Sequence, residues 1–439
     1  MTVAETDFTT WEDELSAACS HPIRLRGGTT AIDLVTGEAA TVYDTTTEPY
    51  GVLHVDCGNR RESACPHCSR IYKGDARQLV RSGLIGGKGL PDSIAEHPCV
   101  FATFTAPSFG PVHARREKNG KVYPCHPRRD RNRRTCPHGR SISCPRRHSP
   151  DDLLLGRALC PDCYDYESAV VFNAGAPKLW QRFVTYLPRE LARLGGISQR
   201  RLRALVRPRF VKVWEYQARG VVHYHAIIRL DLATDDDTWK PPPPDWTAER
   251  LADAVTAAST AASVVVPVGN TGRFLRLRFG AQVDTRIISR GTTDALSEDA
   301  VANYVAKYVT KTPEIPGLPA YRLRTSFEVR ALTCPNHYKR MITAAWELGY
   351  QRAAHQLGIG GHVITKSKRF SVTFGHLRRE RIVHRKAQRY PDGELDPWGR
   401  LVDESTVLFV GSWHYDGSGY AWSDSHRLAL MSADSARQH

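Results

Sequence analysis

The chain has 439 residues, 41% of them hydrophobic and 24% charged, the make-up of an ordinary folded chain long enough for two or three domains. Its 61 lysines and arginines outnumber 46 aspartates and glutamates, a net charge of +15 that points to nucleic acid before a membrane, because no amphipathic anchor accompanies it. No stretch reaches the roughly 18 apolar residues of a membrane span, and the N-terminus is acidic where a signal peptide is basic and then apolar, so the expected location is cytoplasmic.

After an N-terminal segment (1–50), residues 51–165 are rich in cysteine. Nine of the eleven cysteines fall between Cys57 and Cys163. In a cytosolic chain this argues for metal binding over a disulfide framework. Two CPxC units, Cys65 to Cys68 and Cys160 to Cys163, each aim two thiolates at one tetrahedral ion, and together they could complete a four-cysteine zinc site. Cys136, Cys144 and His148, with Cys125, could form a second site. Cys57 and Cys99 could instead complete a site with Cys65 and Cys68. The ligand sets stay open, and the expected role of zinc is to fold a loop-rich module. Within this region Arg128, Arg129, Arg133 and Arg134 belong to a basic run suited to DNA phosphates. The stretch "FATFTAP" reads as an early strand over 100–106, ended by Pro107.

Residues 166–315 carry the densest chemistry. "RFVKVWEYQARGVVHYHAIIRLD" predicts a β-hairpin with strands at 210–217 and 221–230, and Gly220 in the left-handed position of a three-residue loop. That register sets Glu215 opposite His223, about 4.5–5.5 Å apart at Cβ, with His225 on the same face. A lone HxH pair can be two satisfied histidines. With Glu215 it makes a three-ligand metal site with open positions for water and a phosphate oxygen. "WKPPPPDW" (239–246) is a stiff proline-rich excursion. "LRLRFGAQVDTRIISRG" reads as one or two further strands.

"SEDAVANYVAKYVTKTPEIP" then predicts a helix capped by Ser297 and stopped by Pro313 and Pro316. Ala302, Val305, Ala306 and Val309 form its buried side, while Tyr304, Lys307, Tyr308 and Lys311 share the opposite arc. Tyrosines so placed can simply cover a core edge. Beside a metal site they read as nucleophiles with cationic neighbours, Lys307 and Lys311 each fitting either a role in favouring the phenolate or a phosphate contact. Residues 316–439 form a basic α/β extension, with an expected helix at 340–358, a strand near 370–374 and a basic helix after it. No readable chemistry marks the last forty residues. The absence of a Walker A pattern assigns helicase work to a host partner.

Three motifs carry a resemblance: "FATFTAP", "HYH" with upstream Glu215, and the tandem YxxK of "YVAKYVTK". Together they resemble the HUH endonucleases, and within them the rolling-circle replication initiators of actinobacterial plasmids and integrative elements. The resemblance implies an α+β fold with a five-stranded antiparallel nuclease sheet flanked by helices, here joined to a Cys-rich zinc-binding module. It implies Mg²⁺ or Mn²⁺ on His223, His225 and Glu215, and origin DNA in single-stranded or hairpin form as partner. A tyrosine nicks that DNA, forming a 5′-phosphotyrosine and a free 3′-OH, and the strand is later rejoined. Tyr304 is the expected first nucleophile, with Tyr308 its alternate. Conjugative relaxases place the tyrosine before the histidines, the reverse of the order here. A zinc-containing DNA-binding regulator without nuclease activity is the alternative from another class. A cupin-like oxygenase would place its glutamate after the histidines.

Overall fold

The computed structural model describes residues 18–127, 135–234, 239–288, 298–311, 318–319, 321–391, 393, 395–402 and 405–421. Its strands are β1 (Ile23–Asp33), β2 (Ala39–Asp44), β3 (Leu53–Val55), β4 (Cys99–Phe104), β5 (Arg116–Lys118), β6 (Lys121–Tyr123), β7 (Val206–Tyr216), β8 (Val222–Leu232), β9 (Ser263–Pro267), β10 (Phe274–Arg278), β11 (Val283–Ile287), β12 (Ile364–Lys366) and β13 (Val407–Ser418). The α-helices are α1 (Pro66–Ile85), α2 (Tyr166–Leu194), α3 (Gln199–Leu205), α4 (Ala248–Ala261), α5 (Glu298–Lys311), α6 (Ser326–Ala331), α7 (Asn336–Glu347) and α8 (Phe374–Arg389). Among the described residues no helix is long and apolar enough to cross a membrane. The chain forms two compact units: one runs from Val80 to Val372, and the other joins the residues up to Leu79 with those from Thr373 on.

The Val80–Val372 unit is built on a five-stranded sheet in the order β11-β4-β8-β7-β12, every neighbouring pair antiparallel. This is the mixed α/β architecture with one five-stranded antiparallel sheet that the resemblance implies. The central strand β8 is buried over all but its last residue, as its near-continuous apolar run requires. Period-two alternation sorts its side chains. Tyr224, Ala226, Ile228 and Leu230 join the main core. Phe104 of β4 packs on that side against Trp180 and Phe183 of α2, with ring centroids 5.5 and 4.8 Å apart. His223 and His225 therefore belong to the other face.

The β7–β8 hairpin has the expected register, with Glu215 paired to His223 and Trp214 to Tyr224. Gly220 adopts φ 72°, and a Cβ there would stand 2.7 Å from Met341 Sδ, so both conformation and space demand glycine. Asn173 of α2 holds the turn. Its amide nitrogen donates to the carbonyls of Gly220 and Leu357, and its oxygen accepts from the Val222 N–H, all at 2.9 Å.

Two expectations need correction. The helix expected over 340–358 ends at Glu347, because Gly349 turns left-handed at φ 85° and a 3-10 turn follows at Gln351–Gln356. The strand expected near 370–374 lies earlier, as β12, where it pairs with Val211–Val213. Phe374 instead opens α8, whose N-cap Thr373 accepts from the His376 N–H.

The other unit carries a four-stranded sheet centred on β1, which pairs with β2, β3 and β13. β13 runs antiparallel to β1 from Ile23↔Ser418 to Asp33↔Val407, so the last forty residues contain a long strand that the sequence reading missed. In the same unit α1 and α8 meet through stacked Tyr72 and Phe374 (4.9 Å, 12°) and a bidentate Arg381–Asp75 ion pair.

Candidate metal centre and tyrosine helix

Alternation on β7 and β8 presents Glu215, His223 and His225 to one point. Glu215 Oε1 lies 2.6 Å from His223 Nε2 and 3.0 Å from His225 Nε2, and the two imidazole nitrogens are 2.8 Å apart. Neighbouring ligands of an octahedral ion bonded at about 2.1 Å stand about 3 Å apart, so these atoms match one triangular face of such a shell. Burial works to raise the Glu215 carboxyl, but its contacts with His223 and His225 outweigh burial and hold it below the ordinary range. Burial lowers His225. A carboxylate beside a neutral imidazole is the pairing that ligates a divalent cation.

β4 supports this face from the neighbouring strand. Thr103 pairs with His225, and its hydroxyl lies 3.1 Å from Nδ1, which orients the ring. Phe101, two residues earlier on the same face, stacks on His225 at 5.6 Å with the planes 10° apart.

Helix α5 approaches the same face. Val301, Ala302, Val305 and Ala306 are buried, the small apolar side that lets the helix sit close. Tyr304 points from the other side into the site. Its ring stands edge-on to Phe101 and His225, at 5.6 and 5.2 Å, and its hydroxyl lies 3.4 Å from His225 Nε2. At 38% exposure it remains open to solvent. Lys307, Tyr308 and Lys311 follow on α5, but their side chains lie outside the described residues, as do Arg128, Arg129, Arg133 and Arg134 and the predicted cap Ser297.

The cysteines and neighbouring histidines form three further groups: Cys19, Cys57, Cys65 and Cys68; His113, Cys125, Cys144 and His148; and Cys136, His138, Cys160 and Cys163. Ligand atoms around a tetrahedral zinc, with bonds of about 2.3 Å to sulfur and 2.0 Å to nitrogen, lie about 3.8 Å apart for two sulfurs and about 3.3 Å for two nitrogens. In the first group the Sγ separations are 3.7 Å (Cys57–Cys68), 3.8 Å (Cys65–Cys19) and 3.7 Å (Cys68–Cys19). In the second, His113 Nδ1 and His148 Nε2 are 3.3 Å apart, and Cys144 Sγ lies 3.6 Å from His148 Nε2. His148 turns its other nitrogen to Asp152 Oδ2 at 2.6 Å, the outer-shell carboxylate that fixes a ligating histidine. In the third, His138 Nδ1 stands 3.2 Å from Cys163 Sγ and 3.8 Å from Cys160 Sγ. These groups can hold a metal such as zinc.

Electrostatics give the same picture. Burial pushes the Cys19 thiol up to about 12. Burial also raises Cys65, but the backbone N–H groups of Cys68 and Ser20 outweigh it and bring that thiol down to about 7. Four crowded thiols cannot all ionise together without a cation among them.

A family model described as "Replication initiator protein, pSAM2" (RepSA) matches residues 7–434. The chain belongs to this family. A replication initiator protein of Streptomyces ambofaciens is 40% identical over 440 residues, covering 97% of this chain and 90% of its own. No solved structure matches the chain.

For this family member the predicted ligand sets change in composition. The two CPxC units serve different groups instead of sharing one, because Cys65–Cys68 opens α1 in one unit and Cys160–Cys163 sits in a loop of the other. Cys99 enters none of the three groups: it begins β4, paired with Arg229. Cys57 has Cys19 as its companion. Cys136 parts from Cys125, Cys144 and His148 and joins His138. The sequence reading missed Cys19 and His113 as candidate ligands. Cys19 carries no local signal, standing 38 residues before Cys57 in sequence, whereas His113 ends "PSFGPVH", directly after the early strand and twelve residues before Cys125. Phe101 and Thr103 were legible as one face of an alternating strand.

Proposed function

We propose that this initiator starts rolling-circle replication as an HUH endonuclease, nicking one strand of its origin DNA and later rejoining it. The observation that carries the reading is the Tyr304 hydroxyl, 3.4 Å from His225 Nε2, at the point where Glu215, His223 and His225 converge. Mg²⁺ or Mn²⁺ held by those three residues supplies Lewis-acid polarisation of a phosphodiester oxygen. The Tyr304 phenolate oxygen attacks phosphorus. A bond forms to the 5′ phosphate, the bond to the 3′ oxygen breaks, and the departing 3′ oxygen takes a proton from water to become the 3′-OH that primes synthesis. Lys307 favours the phenolate, and Tyr308 serves as second nucleophile in the reverse transfer. Thr103 and Phe101 hold the His225 ring in place.

In the same reading zinc occupies the three cysteine groups, with the ligand sets given above, and orders the loops around them. Lys311 and the basic run Arg128, Arg129, Arg133 and Arg134 contact DNA phosphates. The DNA is engaged in single-stranded or hairpin form in the cytoplasm, and a host helicase opens the duplex.

The test is covalent capture. Protein is mixed with end-labelled single-stranded DNA from the replicon's own origin, with Mn²⁺ or EDTA, and any linked peptide is mapped by mass spectrometry. The expected result is a Mn²⁺-dependent adduct on Tyr304, reduced at least 100-fold in Tyr304→Phe and lost in His223→Ala. DNA binding without any adduct would replace the nuclease with a zinc-containing DNA-binding regulator.

A further inference from the structure

A cavity of about 630 Å³ opens between the segment after β4 and the β7–β8 turn, within the range of ligand sites. Thr105 and Gln217 line it, each two residues beyond Thr103 and Glu215 in the chain, just past the ends of β4 and β7. That displacement, about 7 Å along the strands, is comparable to one nucleotide step of an extended single strand. The far wall comes from the second cysteine–histidine group, through His113 and its neighbour His126.

The walls are built from backbone brought into close register. Arg219 donates to the carbonyls of Ala106 (2.9 Å) and Pro107 (2.7 Å) and to Gln217 Oε1 (2.9 Å). Thr105 and the 280–282 loop are tied twice: the Thr105 hydroxyl donates to the Gln282 carbonyl and the Gly280 N–H to the Thr105 carbonyl, both at 2.7 Å. A Cβ on Gly156 would stand 2.0 Å from the Ala218 carbonyl oxygen, so that loop closes directly on the hairpin turn. Among the described residues the lining mixes apolar surface, imidazoles and peptide groups with Arg115 and Arg219 and includes no carboxylate, although Arg115 pairs with Glu117 Oε2 at 2.7 Å. Such a lining suits a flat heterocycle attached to an anionic backbone.

We infer that this cavity receives one unpaired base of the DNA strand, adjacent to the phosphodiester held at Glu215, His223 and His225, and so sets sequence preference at that position. The inference rests on the proposed nuclease reading, which supplies the strand. It assigns the second cysteine–histidine group a role in DNA recognition, as the outer wall of a base subsite.

Ala281, exposed at the mouth in a bend, is the place to fill the cavity without disturbing the core. Full-length wild type, Ala281→Trp and Gln217→Ala are titrated by fluorescence anisotropy, in magnesium-free buffer, against single-stranded origin oligonucleotides carrying an abasic site at each position in turn. In wild type, removing one particular base is expected to weaken binding about tenfold. Ala281→Trp should bind the intact strand about tenfold more weakly and lose nothing further at that position, with Gln217→Ala shifted part of the way. An abasic profile that is identical in wild type and Ala281→Trp overturns the inference. The binding assay needs no strand cleavage, so absence of the tyrosine adduct overturns the nuclease reading separately.

Discussion

Lys212 shows how a single side chain can work against the fold that contains it. It sits on β7 opposite Ala226, only 6% exposed, on the face covered by α2. Its ammonium group lies 4.2 Å from the Tyr224 ring centroid and 5.6 Å from that of Trp180, and no carboxylate pairs with it among the described residues. Two aromatic faces offset part of the desolvation, yet burial still lowers the amine to about 7. Between that value and the ordinary lysine value near 10.5, the unfolded chain binds the proton and the folded chain does not. Folding stability therefore rises with pH across this window, and below about pH 7 the cost of burying the charge is present in full. Lys212→Met should raise Tm by several degrees at pH 7 and flatten the rise between pH 7 and 10, as read by calorimetry. A variant with wild-type Tm and pH slope would show that Lys212 reaches water in the folded protein.

Elements decide which residues meet. The β7–β8 hairpin is specified locally: a three-residue loop, a glycine that must turn left-handed, and alternation that cannot slip without moving every histidine to the wrong face. The convergence of Glu215, His223 and His225 could accordingly be read from consecutive sequence. The cysteine groups obey a different logic. Each CxxC pair is a local feature, but the other two residues of its group arrive from segments that only tertiary structure brings near. Cys19 is the test of that assembly, since it lies 3.7–3.8 Å from two other thiol sulfurs of its group. Metal analysis of purified protein is expected to return three zinc ions per chain if each group is filled, and Cys19→Ser should return two. Three zinc ions retained in Cys19→Ser would remove Cys19 from the ligand set.

For the whole molecule, the residues up to Leu79 and those from Thr373 on contribute to one compact unit, and β13 is the piece that joins them. Asp416 on β13 pairs with Arg24 and Arg26 on β1, at 3.2 and 2.8 Å, and Tyr420 donates to the Cys19 carbonyl at 2.8 Å. A chain stopped after Thr406 would leave one side of β1 without its ladder from Ile23 to Asp33. Hydrogen exchange on that truncated chain is expected to show protection lost across 23–33 and unchanged across the 206–232 hairpin. Equal loss in both segments would mean that the two units unfold as one.

The sequence by itself determined the features whose cause lies within a few residues: the hairpin and its register, the Glu215–His223–His225 face, the alternating Phe101 and Thr103, and the small-residue side of α5 that turns Tyr304 outward. Strand period, helix period and turn chemistry act over those distances. Tertiary structure alone decided that Cys99 stays in the sheet while Cys19 joins Cys57, Cys65 and Cys68, that His113 and His138 enter groups of their own, and that a strand near the C-terminus pairs with one near the N-terminus. Those contacts close loops of tens to hundreds of residues. Loop-closure entropy changes only slowly with length, so spacing along the chain does not choose between such partners; the packing of the completed units does.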